Sequence, residues 1–294
     1  MNIPAEFAQH ISTVFGERGR AWLGRLPALV EELAEKSQLT VGEPFGLSYN
    51  YVVGVRAADG SDAVLKIGLP DPVLNREAAA LRLYAGEGAC RLLDFDQARG
   101  ALLLERLLPG EMLVNLARSN DDEATRVGAR VMRTLWSHVP DDASEFRPLE
   151  EWFAAFDRHR VAHGGPGPIP ARILERAETL ARELLDSSPE PVVLHGDFHH
   201  YNVLSAQRAD WLAIDPKGML GDPGYEVGPF MCNPWLAPPA VLQRRLDILA
   251  EELTYDRDRL RYWCITYAVL SACWSAEDEG AGWEDAISVA ESLI

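Results

Sequence analysis

At 294 residues and 32.6 kDa the chain can bury two lobes with substantial cores, and its 47% hydrophobic and 25% charged residues are those of an ordinary globular protein. Its 45 acidic against 28 basic residues leave a net charge of −17, which argues against nucleic acid or anionic membrane as partners and suits a cationic one. No apolar run approaches the roughly 18 residues of a membrane span, and the start MNIPAEFAQH is no secretory signal, so the expected location is cytoplasmic. Cys90, Cys232, Cys264 and Cys273 form no CxxC pair and are expected to be buried, reduced thiols.

In chain order, residues 3–37 read as helices, with Trp22, Leu23, Leu26, Leu29, Val30, Leu33 and Ala34 at helical spacing. Pro27 is expected to start or kink a turn there, and the segment to pack outside the first lobe. From Leu39 the period changes to short β-branched or aromatic runs, LTVGEPFG, YNYVVGVRAADG and SDAVLKIG, with the hairpin signal Asp59-Gly60. Three antiparallel strands follow. Lys66 ends the third, and a helix over 73–81 carries Glu77 eleven residues later. RLLDFD (91–96) and ALLLERL (101–107) complete a five-stranded antiparallel sheet with one helix, and Pro109-Gly110 marks the lobe boundary. Beyond it, 123–138 and 149–159 have amphipathic spacing, 172–185 is a charged-faced helix, and 239–294 reads as three helices. There is no internal repeat.

The most informative stretch is 192–215, VVLHGDFHHYNVLSAQRADWLAID. A short apolar strand enters a polar loop, and two more short strands return to Asp215. A hairpin of those two strands puts Asn202 and Asp215 at one end, beside Asp197. Asn202 lies five residues after Asp197 and Asp215 eighteen after it. Hard carboxylate and amide oxygens suit Mg²⁺, while a carboxylate kept off the metal can take the proton of a hydroxyl. That is the spacing of a phosphoryl-transfer loop, with Asp197 as base and Asn202 and Asp215 as metal ligands.

The run HGDFHHYN followed by AIDPKGMLGDPGYEVGPFMCNP resembles the aminoglycoside phosphotransferase superfamily, nearest the streptomycin 6-phosphotransferase and hydroxyurea phosphotransferase branch. The resemblance covers about 39–279; Tyr201 departs from it, standing where the branch generally has Gly. It implies an α+β, two-lobed protein-kinase-like fold. Residues 1–107 would form the nucleotide-binding lobe, a five-stranded antiparallel sheet plus helix preceded by the helices of 3–37. Residues 108–294 would form a mainly helical lobe with the catalytic loop and substrate cleft.

Within that fold Lys66, in AVLK close to the VAIK pattern, would reach the nucleotide phosphates, and Glu77 would hold it. The turn over 42–50 takes the place of the phosphate-covering loop, where Gly46, Ser48 and Asn50 could offer backbone N–H groups. LLLERLLPGE resembles the hinge, where main-chain groups near Glu105, Arg106 and Leu107 would meet the adenine edge. Asp222, in the GDP segment, would brace the catalytic loop by hydrogen bonds, and His195 would orient it. Lys217 could neutralise phosphate or pair with an acid. In the C-terminal helices, Trp274, Glu277 and Asp278, with Glu279, are candidates to hold a cationic substrate.

The expected activity is transfer of the γ-phosphoryl group of ATP or GTP, with Mg²⁺, to a hydroxyl of an aminoglycoside such as streptomycin, by a monomer or homodimer. The alternatives are hydroxyurea or a metabolic sugar or amino-alcohol as acceptor, and a non-catalytic nucleotide-binding protein of the same fold.

Overall fold

The alternating runs between Leu39 and Glu105 fold into one antiparallel sheet in a computed structural model of the chain, which describes residues 3–233, 237–278 and 282–294. The chain divides into two units. The first contains residues up to Gly86 with Cys90–Leu107, and the second Glu87–Ala89 with Leu108–Ile294.

In the first unit α1 (Ala5–Lys36) precedes β1 (Leu39–Pro44), β2 (Tyr51–Ala57), β3 (Asp62–Ile67), α2 (Pro72–Tyr84), β4 (Leu92–Asp96) and β5 (Ala101–Glu105). The strand order is β1-β2-β3-β5-β4, all pairs antiparallel. One face packs on α1: Phe7, Ile11, Leu26 and Val30 share a buried cluster with Tyr51, Val53, Leu65 and Ile67. Because side chains alternate along a strand, Ala63, Leu65 and Ile67 enter that cluster and Lys66 points to the opposite face. There it meets α2, whose start is set by Asp71: its carboxylate accepts from Val73 N at 2.8 Å and Leu74 N at 3.2 Å, ahead of Pro72 in the first turn.

Pro27 does not break the first helix, contrary to expectation. It lies inside α1, and the departure from helical geometry is at Gly16, with φ 57° and ψ −131°. Leu26, Leu29, Val30 and Leu33 are all buried around the proline. Burying one such side chain is worth about 1.5–3 kcal/mol, so together they outweigh the roughly 3 kcal/mol of an interior proline. A positive φ is open to glycine at little cost, and the chain changes direction there.

The second unit opens with β6 (Pro109–Met112), α3 (Leu113–Ser119), α4 (Asp121–Trp136), β7 (Arg147–Pro148), α5 (Ala154–His163) and α6 (Ala171–Asp186). Short strands β8 (Val192–Leu194), β9 (Val203–Ala206), β10 (Trp211–Ala213) and β11 (Met219–Gly221) follow. They form two small sheets, β10-β9-β6 and β7-β11-β8. The unit closes with α7 (Val227–Cys232), α8 (Pro239–Leu253), α9 (Arg257–Asp278) and α10 (Trp283–Leu293). Helix α9 packs against α5, α6, α7, α8 and α10, and its residues Leu260, Trp263, Cys264, Ala268 and Leu270 are fully buried. A helix surrounded in this way is apolar on all sides rather than on one stripe. Among the described residues no helix is long and apolar enough to cross a membrane. The four cysteines are free thiols.

Candidate active site

The loop after β8 is shaped by close packing. Gly196 has φ 84°, and a Cβ on it would lie 2.8 Å from Met219 Sδ and 3.2 Å from Lys217 Cβ. The position therefore needs both the left-handed backbone and the missing side chain. The β9–β10 hairpin pairs Val203 with Ala213, so the residues flanking that pair meet: Ile214 N–H donates to Asn202 O at 2.9 Å. From the other side, Lys217 N–H donates to His195 O at 2.6 Å.

These bonds gather Asp197, Asn202 and Asp215. Asn202 Nδ2 donates to Asp197 O at 3.0 Å, which turns the amide oxygen away from that carbonyl. Lys217 Nζ stands 2.9 Å from Asp215 Oδ2 and 3.6 Å from Asp197 Oδ2. Asp215 has φ 62°, a left-handed conformation that costs a non-glycine residue of order 1–3 kcal/mol and is met mostly at functional sites. Among the described residues no three His, Cys, Asp or Glu side chains form a metal cage. An amide oxygen and a carboxylate suit Mg²⁺ instead, which takes few protein ligands and fills its shell with phosphate and water.

The loop is braced from below. Glu226 is fully buried and its two carboxylate oxygens accept from His195 N at 2.7 Å and Gly196 N at 2.8 Å. Burial pushes its pKa up to about 8, against the downward pull of the two amide bonds. His195 Nε2 donates to Ile214 O at 2.8 Å and its Nδ1 accepts from Asp197 N at 3.3 Å, a pattern that assigns the neutral Nε2–H tautomer. Burial lowers its pKa to about 4, in keeping with that neutral form. Phe198 is fully buried against Phe230 and His195 and anchors the turn between Asp197 and His199.

Asp222 was expected to make the loop-bracing bonds, and it does not. Its carboxylate accepts from Gly224 N at 2.8 Å, Tyr255 Oη at 2.6 Å and Arg259, which ties the turn before α7 to the start of α9. Glu226, four residues on, reaches the loop because the turn at Pro223–Glu226 aims it back at β8. The sequence carried one signal for it: an isolated acid at the head of the apolar run VGPFM.

Two further histidines complete the loop. His199 Nε2 lies 3.6 Å from Asp197 Oδ1 and 3.3 Å from Asn202 Nδ2, and its pKa is lowered mainly by burial. His200 points inward, stacked on Phe230 at 4.0 Å and bonded through Nδ1 to Asn233 O at 3.1 Å. Tyr201 stands 41% exposed beside them.

In the first unit Lys66 Nζ lies 2.8 and 2.7 Å from the two oxygens of Glu77, with both residues buried. Ser48 is exposed in the β1–β2 turn, and Leu107 is buried. The amide of Glu105 donates to Arg91 O at 2.9 Å and its side chain accepts from Arg91 N at 2.9 Å, so both serve the sheet.

The C-terminal candidates are more dispersed in role. Trp274 packs edge-on against Trp152 at 4.9 Å, and both line a cavity of about 230 Å³ with Arg147, Glu151 and Arg158. Glu277 is already paired with Arg158 at 3.2 Å, and Arg147 with Glu151 at 2.9 Å. Asp278 closes α9, but its side chain lies outside the described residues, as does Glu279.

The family model described as "Aminoglycoside/hydroxyurea antibiotic resistance kinase" matches residues 38–279. A streptomycin 6-kinase of Streptomyces glaucescens is 35% identical over 303 residues, covering 100% of this chain and 97% of that protein. A hydroxyurea phosphotransferase of Kitasatospora aureofaciens is 34% identical over 308 residues, covering 100% and 86%. In fold the chain is similar to a thermostable mutant of aminoglycoside phosphotransferase APH(4)-Ia, solved as a ternary complex with ADP and hygromycin B, with a TM-score of 0.63 at 19% identity over 90% of this chain and 95% of that one. The fold is thus kinase-like, as the resemblance implied. By this match along its length, the chain belongs to the aminoglycoside/hydroxyurea antibiotic resistance kinase family and is a phosphotransferase.

Proposed function

We propose that this protein inactivates a streptomycin-type aminoglycoside by transferring the γ-phosphoryl group of ATP or GTP to one of its hydroxyls. Residues 1–107 form the nucleotide-binding lobe and residues 108–294 the lobe that binds the acceptor. Asp197 orients the acceptor hydroxyl and takes its proton as the new O–P bond forms. Asn202 and Asp215 hold Mg²⁺, which neutralises phosphate charge when bound. Lys66, kept in place by Glu77, anchors the phosphates, while the Ser48 turn and the main-chain groups of 105–107 other than the Glu105 N–H face the nucleotide. Positioning and electrostatics carry the reaction, with no covalent enzyme intermediate. The observation that supports the reading best is the joining of Asp197, Asn202 and Asp215 through Ile214 N–H and Asn202 Nδ2 on one hairpin end.

A second reading, a small neutral acceptor such as hydroxyurea, is favoured by the cavity at Trp274. Its lining carboxylate, Glu151, is already matched by Arg147, and the lining Arg158 is paired with Glu277. Mg²⁺-dependent ADP release across streptomycin, other aminoglycosides, hydroxyurea and amino-alcohols separates the two. Turnover on streptomycin, lost by about 10³-fold or more in Asp197→Ala with nucleotide affinity kept, is the expected result. Near-normal turnover in that variant would remove Asp197 from its role.

A further inference from the structure

Resting on the proposed phosphotransfer, we infer that Lys217 is a catalytic residue whose ammonium pairs with the phosphoryl group in flight. Its Nζ lies within 2.9 Å of Asp215 and 3.6 Å of Asp197, the metal-side carboxylate and the acceptor-side carboxylate of the reading above. In-line transfer carries phosphorus from the leaving oxygen on the first side to the hydroxyl oxygen on the second. A cation within ion-pair distance of both carboxylates borders the ground the phosphoryl group crosses.

The chain holds the ammonium there by construction. Pro216 restricts the backbone between Asp215 and Lys217. The Lys217 amide is fixed to His195 O at 2.6 Å, and Gly196, whose added Cβ would lie 2.8 Å from Met219 Sδ and 3.2 Å from Lys217 Cβ, lets the two segments approach. Its side chain is 26% exposed and those of Asp197 and Asp215 are 30% and 35%, so all three are partly open to a ligand. Only three lysines occur in the chain, in a sequence that otherwise uses arginine for its positive charge. A compact, rotatable ammonium can follow a moving oxygen where a planar guanidinium fork cannot.

In the step itself the acceptor oxygen–phosphorus bond forms, the β,γ-bridging oxygen leaves with its electron pair on the nucleoside diphosphate, and the hydroxyl proton passes to Asp197. Lys217 keeps its proton throughout. It pairs with a non-bridging oxygen while the phosphoryl group lies between donor and acceptor, with its charge spread over three equatorial oxygens.

The test compares Lys217→Met, Lys217→Arg and Lys217→Ala with the wild type in Mg²⁺-ATP transfer to streptomycin and in slow ATP hydrolysis without acceptor, with nucleotide Kd measured separately. Loss of such a charge is worth about 10²–10³ in rate. Lys217→Met is expected to lose that factor in both reactions with Kd and thermal midpoint little changed. Lys217→Arg is expected to lose less, and ethylammonium is expected to restore part of the rate of Lys217→Ala where sodium chloride of equal ionic strength does not. Hydrolysis within threefold of wild type in Lys217→Met overturns the inference whatever the acceptor. So does a loss confined to nucleotide Kd, which would make Lys217 a mere counter-ion to the two acids. If the wild type leaves streptomycin untouched while Lys217→Met still slows hydrolysis, the acceptor assignment fails and this inference stands.

Discussion

Glu226 shows how one residue can set the geometry of a loop it does not belong to. Each carboxylate oxygen holds one amide of the His195–Gly196 turn, and both are shut away from water. Glu226→Gln keeps the shape, but where either form of the carboxyl has an acceptor oxygen for each amide, the glutamine turns an NH₂ donor toward one of them. A buried donor left unsatisfied costs about 1–3 kcal/mol. The expected outcome is a loss of that order in urea unfolding, with kcat reduced more than KM because Asp197 is displaced. The pH dependence has a definite sign. With its folded pKa raised to about 8, Glu226 keeps in the folded state a proton that it gives up in the unfolded one above the ordinary value of 4.5. Its contribution to stability is complete below that value and is lost as pH rises to about 8. His195 runs the other way: its folded pKa of about 4 makes its contribution present above 6.5 and lost as pH falls toward 4. Glu226→Gln should therefore flatten the stability decline between about pH 4.5 and 8 while leaving the acid-side loss. An unchanged slope would show that Glu226 is ionised throughout.

At the scale of elements, the Asp222 network joins parts that are far apart in sequence. Asp222 is fully buried, and Arg259 on α9 also donates to Leu184 O at the end of α6 at 2.9 Å. One guanidinium thus ties α6, α9 and the turn before α7 together. Removing one partner of a buried pair leaves the other charge uncompensated, at about 3–5 kcal/mol. Asp222→Ala is expected to lower the unfolding free energy by that amount. Tyr255→Phe removes a single hydrogen bond and is expected to cost about 1 kcal/mol. Protein that remains folded should keep most of its kcat in both variants, since the loop amides are held by Glu226. A folded Asp222→Ala protein with kcat reduced a hundredfold would return Asp222 to the loop-bracing role.

For the whole molecule the large quantity is charge. A net −17 favours approach of a cation and repels an anion, and salt screens this beyond about 8 Å at physiological ionic strength. If streptomycin is the acceptor, its KM should rise severalfold between roughly 0.05 and 0.5 M salt, while that of uncharged hydroxyurea stays level. Steady-state kinetics on both substrates reads this directly. Equal insensitivity would mean that the acidity serves solubility alone.

The sequence by itself determined the family, the sheet and the meeting of Asp197, Asn202 and Asp215. These depend on short-range geometry: a two-residue period fixes a strand's faces, and a tight hairpin fixes which residues share its end. Lys66 and Glu77 were legible for the same reason, being eleven residues apart on a strand and the helix that follows it. The tertiary structure alone decided which acid braces the loop, since Glu226 comes back from 31 residues away through a turn whose direction is set by buried packing. It alone decided that Gly16 rather than Pro27 bends α1, that Lys217 pairs with both acids, and that Glu277 is matched by Arg158 from 119 residues away. A local pattern shows which side chains can face a core. Which distant partner they find there depends on how all the elements bury their surfaces at once, and no spacing along the chain encodes that.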